Sequence, residues 1–152
     1  MMLPSPILMV CSGNICRSPF AEFYLRSRLQ QAGEFAEVFS RGILDMHSRS
    51  VPDTGIAVAA DMGVDLAPHR ATKLEGSDLD RAALVMIMEQ QHRQYLAQMR
   101  PAAIGKIFYL SQPTGGAEIP DPMGKSDEDF RDSYRVIVEN IDGWLKRFGV
   151  TT

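Results

Sequence analysis

The run Cys11-Ser12-Gly13-Asn14-Ile15-Cys16-Arg17-Ser18-Pro19 holds both cysteines of the chain, with an arginine six positions after the first. It follows the apolar stretch Ile7-Leu8-Met9-Val10 and precedes a helical pattern. A loop that turns from a strand into a helix start gathers free backbone N–H groups and the positive end of the helix dipole around an anion. Gly13 lets the backbone bend closely, and Asn14 tolerates a left-handed conformation. Arg17 adds a planar, two-pronged donor that matches two phosphate oxygens at once. The same positive surroundings favour the thiolate of Cys11, and a thiolate beneath a bound phosphoryl group is a nucleophile. Asp121, in the loop Ile119-Pro120-Asp121-Pro122-Met123-Gly124, is placed to protonate a leaving oxygen, with Pro122 stiffening it.

These residues need a frame that brings positions 11 to 18 and 121 to one place. Strand-like and helix-like segments alternate along the chain, which predicts an α/β domain spanning residues 1–152. Residues 7–10 read as a strand covered on both faces. Ser18 suits a helix N-cap and Pro19 the first helical position; the pairs Phe20/Ala21, Tyr24/Leu25 and Arg28/Leu29 carry that helix toward Gly33. A second strand is predicted over 36–40, a polar turn-prone stretch over 41–51, and a helix from Pro52-Asp53 to Met62-Gly63. Residues 83–88 form the clearest buried strand, followed by a helix over 89–98 and a fourth strand over 106–110. Helical crossovers between the strands imply a parallel sheet. A final helix shows Phe130, Tyr134, Ile137, Val138, Ile141, Leu145 and Phe148 at steps of three and four. In such sheets the ligand site lies beyond the carboxyl ends of the strands, which is where both Cys11 and Asp121 fall.

The 152 residues carry sixteen basic and nineteen acidic side chains, a formal charge of −3. No net positive field is available to hold nucleic acid or an anionic membrane, so a phosphate-bearing partner must be gripped locally. No apolar stretch approaches the roughly 20 residues of a membrane helix, and the start Met-Met-Leu-Pro-Ser-Pro lacks the basic segment of a signal peptide. The chain reads as cytoplasmic, and its two close cysteines as chemistry rather than a disulfide framework. Two cysteines and three scattered histidines give no familiar metal spacing, and the Gly-Lys-Ser/Thr ending of a nucleotide P-loop is absent.

The nine-residue run with Asp121-Pro122 resembles the low-molecular-weight protein tyrosine phosphatases, and the resemblance covers nearly the whole chain. It implies a flavodoxin-like, doubly wound fold with a four-stranded parallel sheet. It further implies a metal-free and cofactor-free, two-step reaction. Cys11 would be the nucleophile, Arg17 the phosphate-binding and transition-state residue, and Asp121 first general acid and then base. Ser18 would hydrogen-bond the sulfur and help it leave. Ser12, Gly13, Asn14, Ile15 and Cys16 would form the phosphate-binding loop, with Asn14 held by Ser40 and His69. By the same resemblance Cys16 would form a reversible disulfide with Cys11 that blocks over-oxidation; the residue equally suits a small core position.

Two positions depart from the pattern. Where the family has aromatic residues that grip the phenyl ring, this chain offers Met46 and Met123. Methionine still contacts a ring by about 0.3–1.5 kcal/mol, which predicts a looser pocket. Met88-Glu89 and Lys125-Ser126 resemble the bacterial branch acting on tyrosine autokinases of polysaccharide export, which makes a tyrosine-phosphorylated protein the expected partner. Rival readings are an arsenate reductase on the same fold, a phosphoarginine phosphatase and a non-catalytic phosphate-binding module. The first is opposed by the lack of any cysteine after Cys16, and the second by Ile15, where threonine is typical. Cys11, Arg17, Ser18 and Asp121 together oppose the third.

Overall fold

A computed structural model describes residues 3–151. Four parallel strands, β1 (Ile7–Cys11), β2 (Val38–Gly42), β3 (Leu84–Ile87) and β4 (Ile107–Tyr109), lie in the order β2-β1-β3-β4. Helices α1 (Arg17–Gln31), α2 (Asp53–Asp61), α3 (Gly76–Arg81), α4 (Gln90–Met99) and α5 (Asp127–Arg147) make the crossovers and close the chain.

Alternation along β1 splits its side chains between two cores, as a strand covered on both faces requires. Ile7, Met9 and Cys11 join Phe20 and Leu25 of α1, Val58 of α2 and Tyr134, Ile137 and Ile141 of α5. Leu8 and Val10 join Leu79 of α3, Leu96 of α4 and Ile107 of β4. Near-parallel stacking of Phe20 on Tyr134, 4.1 Å between centroids, locks α1 against α5. Trp144, outside the predicted stripe of α5, is buried and donates its indole N–H to the Leu110 carbonyl at 2.8 Å.

The strand order changes direction at β1: the next strand pairs on one side and the third on the other. The carboxyl ends of β1 and β3 therefore open onto one crevice. Cys11 ends β1, and Glu89 lies two residues past the end of β3.

Three local expectations give way. Helix α1 begins at Arg17, and the Ser18 side chain caps nothing; its hydroxyl is turned to the Cys11 sulfur instead. The second strand runs over 38–42 rather than 36–40. Arg41 reads as a turn residue, yet its guanidinium lies over the Phe39 ring and its Nε donates to Asp78 at 3.2 Å, so the strand continues through it. Helix α3 was not expected, because six residues with one buried apolar side chain, Leu79, leave no period to read.

Candidate active site

The residues after β1 wrap around the Cys11 sulfur. The N–H groups of Asn14 and Ser18 donate to Sγ at 3.3 and 3.4 Å, and the Ser18 hydroxyl lies 2.9 Å away. Ser18 belongs to the first turn of α1, so its N–H is one of the helix's unpaired donors, and no side chain caps that turn. Cys11 thus sits at the floor of a ring of donors that stabilises negative charge on sulfur.

Asn14 holds the loop in this shape. It is fully buried, with φ of 56°, the left-handed conformation that asparagine tolerates. The Thr72 N–H donates to its Oδ1 at 2.9 Å, and a backbone N–H can only donate, so the amide orientation is fixed. Its Nδ2 then donates to Ser18 Oγ at 2.8 Å and to Ser40 Oγ at 2.9 Å. With those oxygens already accepting, the Ser18 O–H is left to point at Cys11 Sγ, and the Ser40 O–H donates to Glu22 at 2.5 Å. His69 Nε2 donates to the Asn14 carbonyl at 2.8 Å, and burial holds its pKa below the ordinary imidazole value. Asn14, Ser18, Ser40 and His69 are thus brought together as one network.

Gly13 does not perform the task expected of it. It has no positive φ, and a side chain there would meet only Ile15 and Met46 at ordinary contact distances of 3.4–3.5 Å. The close approach is made by Gly42 at the end of β2, where a Cβ would lie 2.7 Å from the Gly13 carbonyl carbon and 2.8 Å from the Asn14 nitrogen. No spacing in the sequence singles out Gly42, because the contact exists only once β2 pairs with β1.

Arg17 is among the largest fully buried side chains. Its Nη1 donates to the Ile119 carbonyl at 2.7 Å, and Nη2 lies 2.7 Å from Glu89 and 3.6 Å from Asp121. Its Nε has no hydrogen-bond partner among the described residues. The guanidinium is therefore held through both Nη atoms, and it ties the loop bearing Asp121 to the loop bearing Cys11. Ser133 of α5 anchors that acid loop from behind by donating to the Pro120 carbonyl at 3.0 Å. The half-exposed Asp121 accepts the Met123 N–H through Oδ1 at 3.0 Å, which fixes its side chain over its own turn.

Glu89 and His92 were not among the residues singled out for the site. Arg17 and His92 hold the Glu89 carboxyl below the usual carboxylate range against the opposing effect of burial. His92 is fully buried, and burial, aided by the Arg17 charge, lowers its pKa to about 4. The signal for Glu89 was its place just past a buried strand, on the same sheet edge as Cys11.

A cavity of about 110 Å³ opens above the sulfur, lined by Ser12, Ile15, Arg17, Leu44, Met46, Asp121 and Met123. Met46 and Met123 both line its wall, and Leu44 adds an aliphatic side chain that no motif in the sequence singles out. Cys16 is buried beside Met123, its thiol 3.9 Å from the thioether. Burial, aided by the charges of Cys11 and Asp121, pushes its thiol pKa far up. Neither cysteine is in a disulfide.

A thiol ringed by donors, a buried arginine and a carboxylate at the rim, set at the switch point of a parallel sheet, are the parts that phosphate-ester hydrolysis calls for. Residues 6–151 match the family model described as low molecular weight phosphotyrosine protein phosphatase, and the chain belongs to this family of protein-tyrosine phosphatases. It is 35% identical over 141 residues to the low molecular weight protein-tyrosine-phosphatase Etp of Escherichia coli K12, covering 93% of each chain. Among solved structures it is similar to Vibrio vulnificus Wzb in complex with benzylphosphonate, with a TM-score of 0.88 and 33% identity over 95% of this chain and 99% of that one. It is also similar to the YwlE arginine phosphatase from Geobacillus stearothermophilus, with a TM-score of 0.85 and 30% identity over 94% and 92%.

Proposed function

We propose that this enzyme hydrolyses phosphotyrosine in proteins through a phosphocysteine intermediate, with Cys11 as nucleophile, Arg17 as phosphate ligand and Asp121 as general acid and base. The observation that carries the reading is the set of donors converging on Cys11 Sγ at the floor of a cavity with Asp121 at its rim. Sulfur attacks phosphorus, the P–S bond forms as the P–O bond to the tyrosine breaks, and Asp121 gives its proton to the departing oxygen. Water then attacks phosphorus and loses a proton to Asp121; the P–S bond breaks and the electron pair returns to sulfur. The Ser18 hydroxyl and the two N–H groups receive that negative charge, so the thiolate leaves readily. The unpartnered Nε–H of Arg17 supplies a donor for a phosphoryl oxygen whose geometry is set in advance by Ile119 and Glu89.

Isoleucine at position 15 and the apolar wall of Leu44, Met46 and Met123 favour an aryl ester over a guanidine-bearing substrate. The resemblance of Met88-Glu89 and Lys125-Ser126 to the polysaccharide-export branch supports a tyrosine autokinase as the phosphorylated partner. No helix among the described residues is long and apolar enough to cross a membrane. A reaction that needs a free thiolate suits the reducing cytoplasm.

The test is phosphate release from a phosphotyrosine peptide without added metal, with phosphoarginine and arsenate reduction in parallel and Cys11→Ser as control. Release from phosphotyrosine that disappears in Cys11→Ser is expected. Faster release from phosphoarginine, or arsenate reduction alone, would replace the reading.

A further inference from the structure

His92 lies on α4, on the opposite side of the β1 loop from the Asn14 network, and the reaction steps above do not use it. Its Nδ1 faces two backbone donors, the N–H of Met88 at 3.4 Å and that of Glu89 at 3.1 Å. A nitrogen that accepts from N–H groups carries no proton, so the ring's single proton is on Nε2. Nε2 lies 3.0 Å from Ser12 Oγ, and in this tautomer it donates to that hydroxyl. Glu89, whose backbone the ring holds, is the residue whose carboxylate meets Arg17 Nη2 at 2.7 Å. One imidazole therefore spans the residue following the nucleophile and the backbone that carries the arginine's counter-ion.

Resting on the phosphatase reading, we propose that His92 is a positioning residue: through Nε2–H to Ser12 and Nδ1 to the Met88 and Glu89 amides it sets Cys11 and Arg17 at their working separation. The charged groups facing it are Arg17 from α1, Glu89 at the start of α4, and Glu118 and Asp121 from the acid loop. Arg17 opposes a second proton on the ring and the three carboxylates favour one, but burial is the largest influence and keeps the imidazole neutral near pH 7. A neutral ring is required here, because an imidazolium would present an N–H to the two amide donors on Nδ1 and break the grip on Glu89.

The test is a double-mutant cycle of Ser12→Ala and His92→Asn, assayed with a phosphotyrosine peptide. Asparagine keeps an acceptor near the Met88 and Glu89 amides but is too short to reach Ser12. Each single change should lower kcat and kcat/KM together by about three- to tenfold, the size of one neutral hydrogen bond, with KM within twofold. The double variant should lose no more than the worse single, because both remove the same link. The 15N shifts of the His92 ring at pH 7 should show the Nε2–H tautomer in the wild type, a readout independent of turnover. Single losses that multiply in the double variant, an unchanged kcat in Ser12→Ala, or an Nδ1–H tautomer would each overturn the assignment. Should His92→Asn fail to fold, Ser12→Ala and the ring shifts decide by themselves. A wild type without Cys11-dependent release would instead refute the phosphatase reading, and with it the need for the strut.

Discussion

Replacing Gly42 by alanine perturbs the phosphate loop from the neighbouring strand, without changing any residue of the loop itself. The added Cβ would stand 2.7 Å from the Gly13 carbonyl carbon, 2.8 Å from the Asn14 nitrogen and 2.9 Å from the Asn14 Cβ. Ordinary carbon contacts begin near 3.5 Å, so ~0.8 Å of relief is needed. Strand β2 cannot supply it by retreating. The Gly42 N–H donates to the Thr72 carbonyl at 2.9 Å, and its carbonyl accepts from Leu74 at 2.7 Å, which pins it from the far side. The loop must move instead, and it moves at Asn14, whose N–H contacts Cys11 Sγ. Overpacking of this kind costs about 1–3 kcal/mol, which at roughly 2–4 °C per kcal/mol lowers Tm by ~2–12 °C. A displacement approaching 1 Å at the reacting atoms costs up to ~10²-fold, so kcat/KM on a phosphotyrosine peptide should fall by about ten- to a hundredfold. Gly105→Ala is the control, since a Cβ there meets nothing within 4 Å. Thermal melts and steady-state kinetics on the three proteins make the comparison. A Gly42→Ala protein with Tm within 1 °C of the wild type and kcat/KM within about twofold would refute the reasoning.

Three further outcomes are expected. Asp121→Asn should lower kcat by about 10²–10⁴-fold on a phosphotyrosine peptide and much less on an ester of an acidic phenol, because that leaving group needs no proton; equal losses on both would remove Asp121 as the acid. Met123→Tyr should lower KM for the peptide by about two- to tenfold through ring contact, as steady-state kinetics would show, with little change on a non-aromatic phosphate ester. His92 has a folded-state pKa lowered to about 4 against 6.5 in the unfolded chain, so the stability this contributes is complete above pH 6.5 and is lost as pH falls through 4. Urea denaturation across that window should show up to about 3 kcal/mol less of pH-dependent loss in His92→Asn than in the wild type.

The parallel sheet and the anion loop were legible in the sequence because each has a local signature. A short apolar run such as Ile7 to Val10, broken at once by Ser12-Gly13-Asn14, fits a covered strand, and the types packed between Cys11 and Ser18 suit one kind of loop. Asp121 was legible by position, since a loop after the fourth strand must return to the same sheet edge. What stayed hidden depends on pairing across the chain. Gly42 matters only through its close approach to Gly13 and Asn14, and Glu89 and His92 only because β3 lies beside β1. The cap reading of Ser18 fails for a physical reason: the helix starts one residue earlier, and the Ser18 oxygen that a cap would use accepts from Asn14 Nδ2, leaving its O–H for the Cys11 sulfur as the family resemblance implies.

The central claim is a covalent phosphoryl group on Cys11. Rapid acid quench of the enzyme during turnover of a 32P-labelled phosphotyrosine peptide, followed by peptide mapping, tests it most directly. Label should accumulate on the peptide containing Cys11 within the first turnover, with up to one phosphoryl group per enzyme, and should be absent from Cys11→Ser. Turnover with no protein-bound label at any quench time, or label on another residue, would contradict the account.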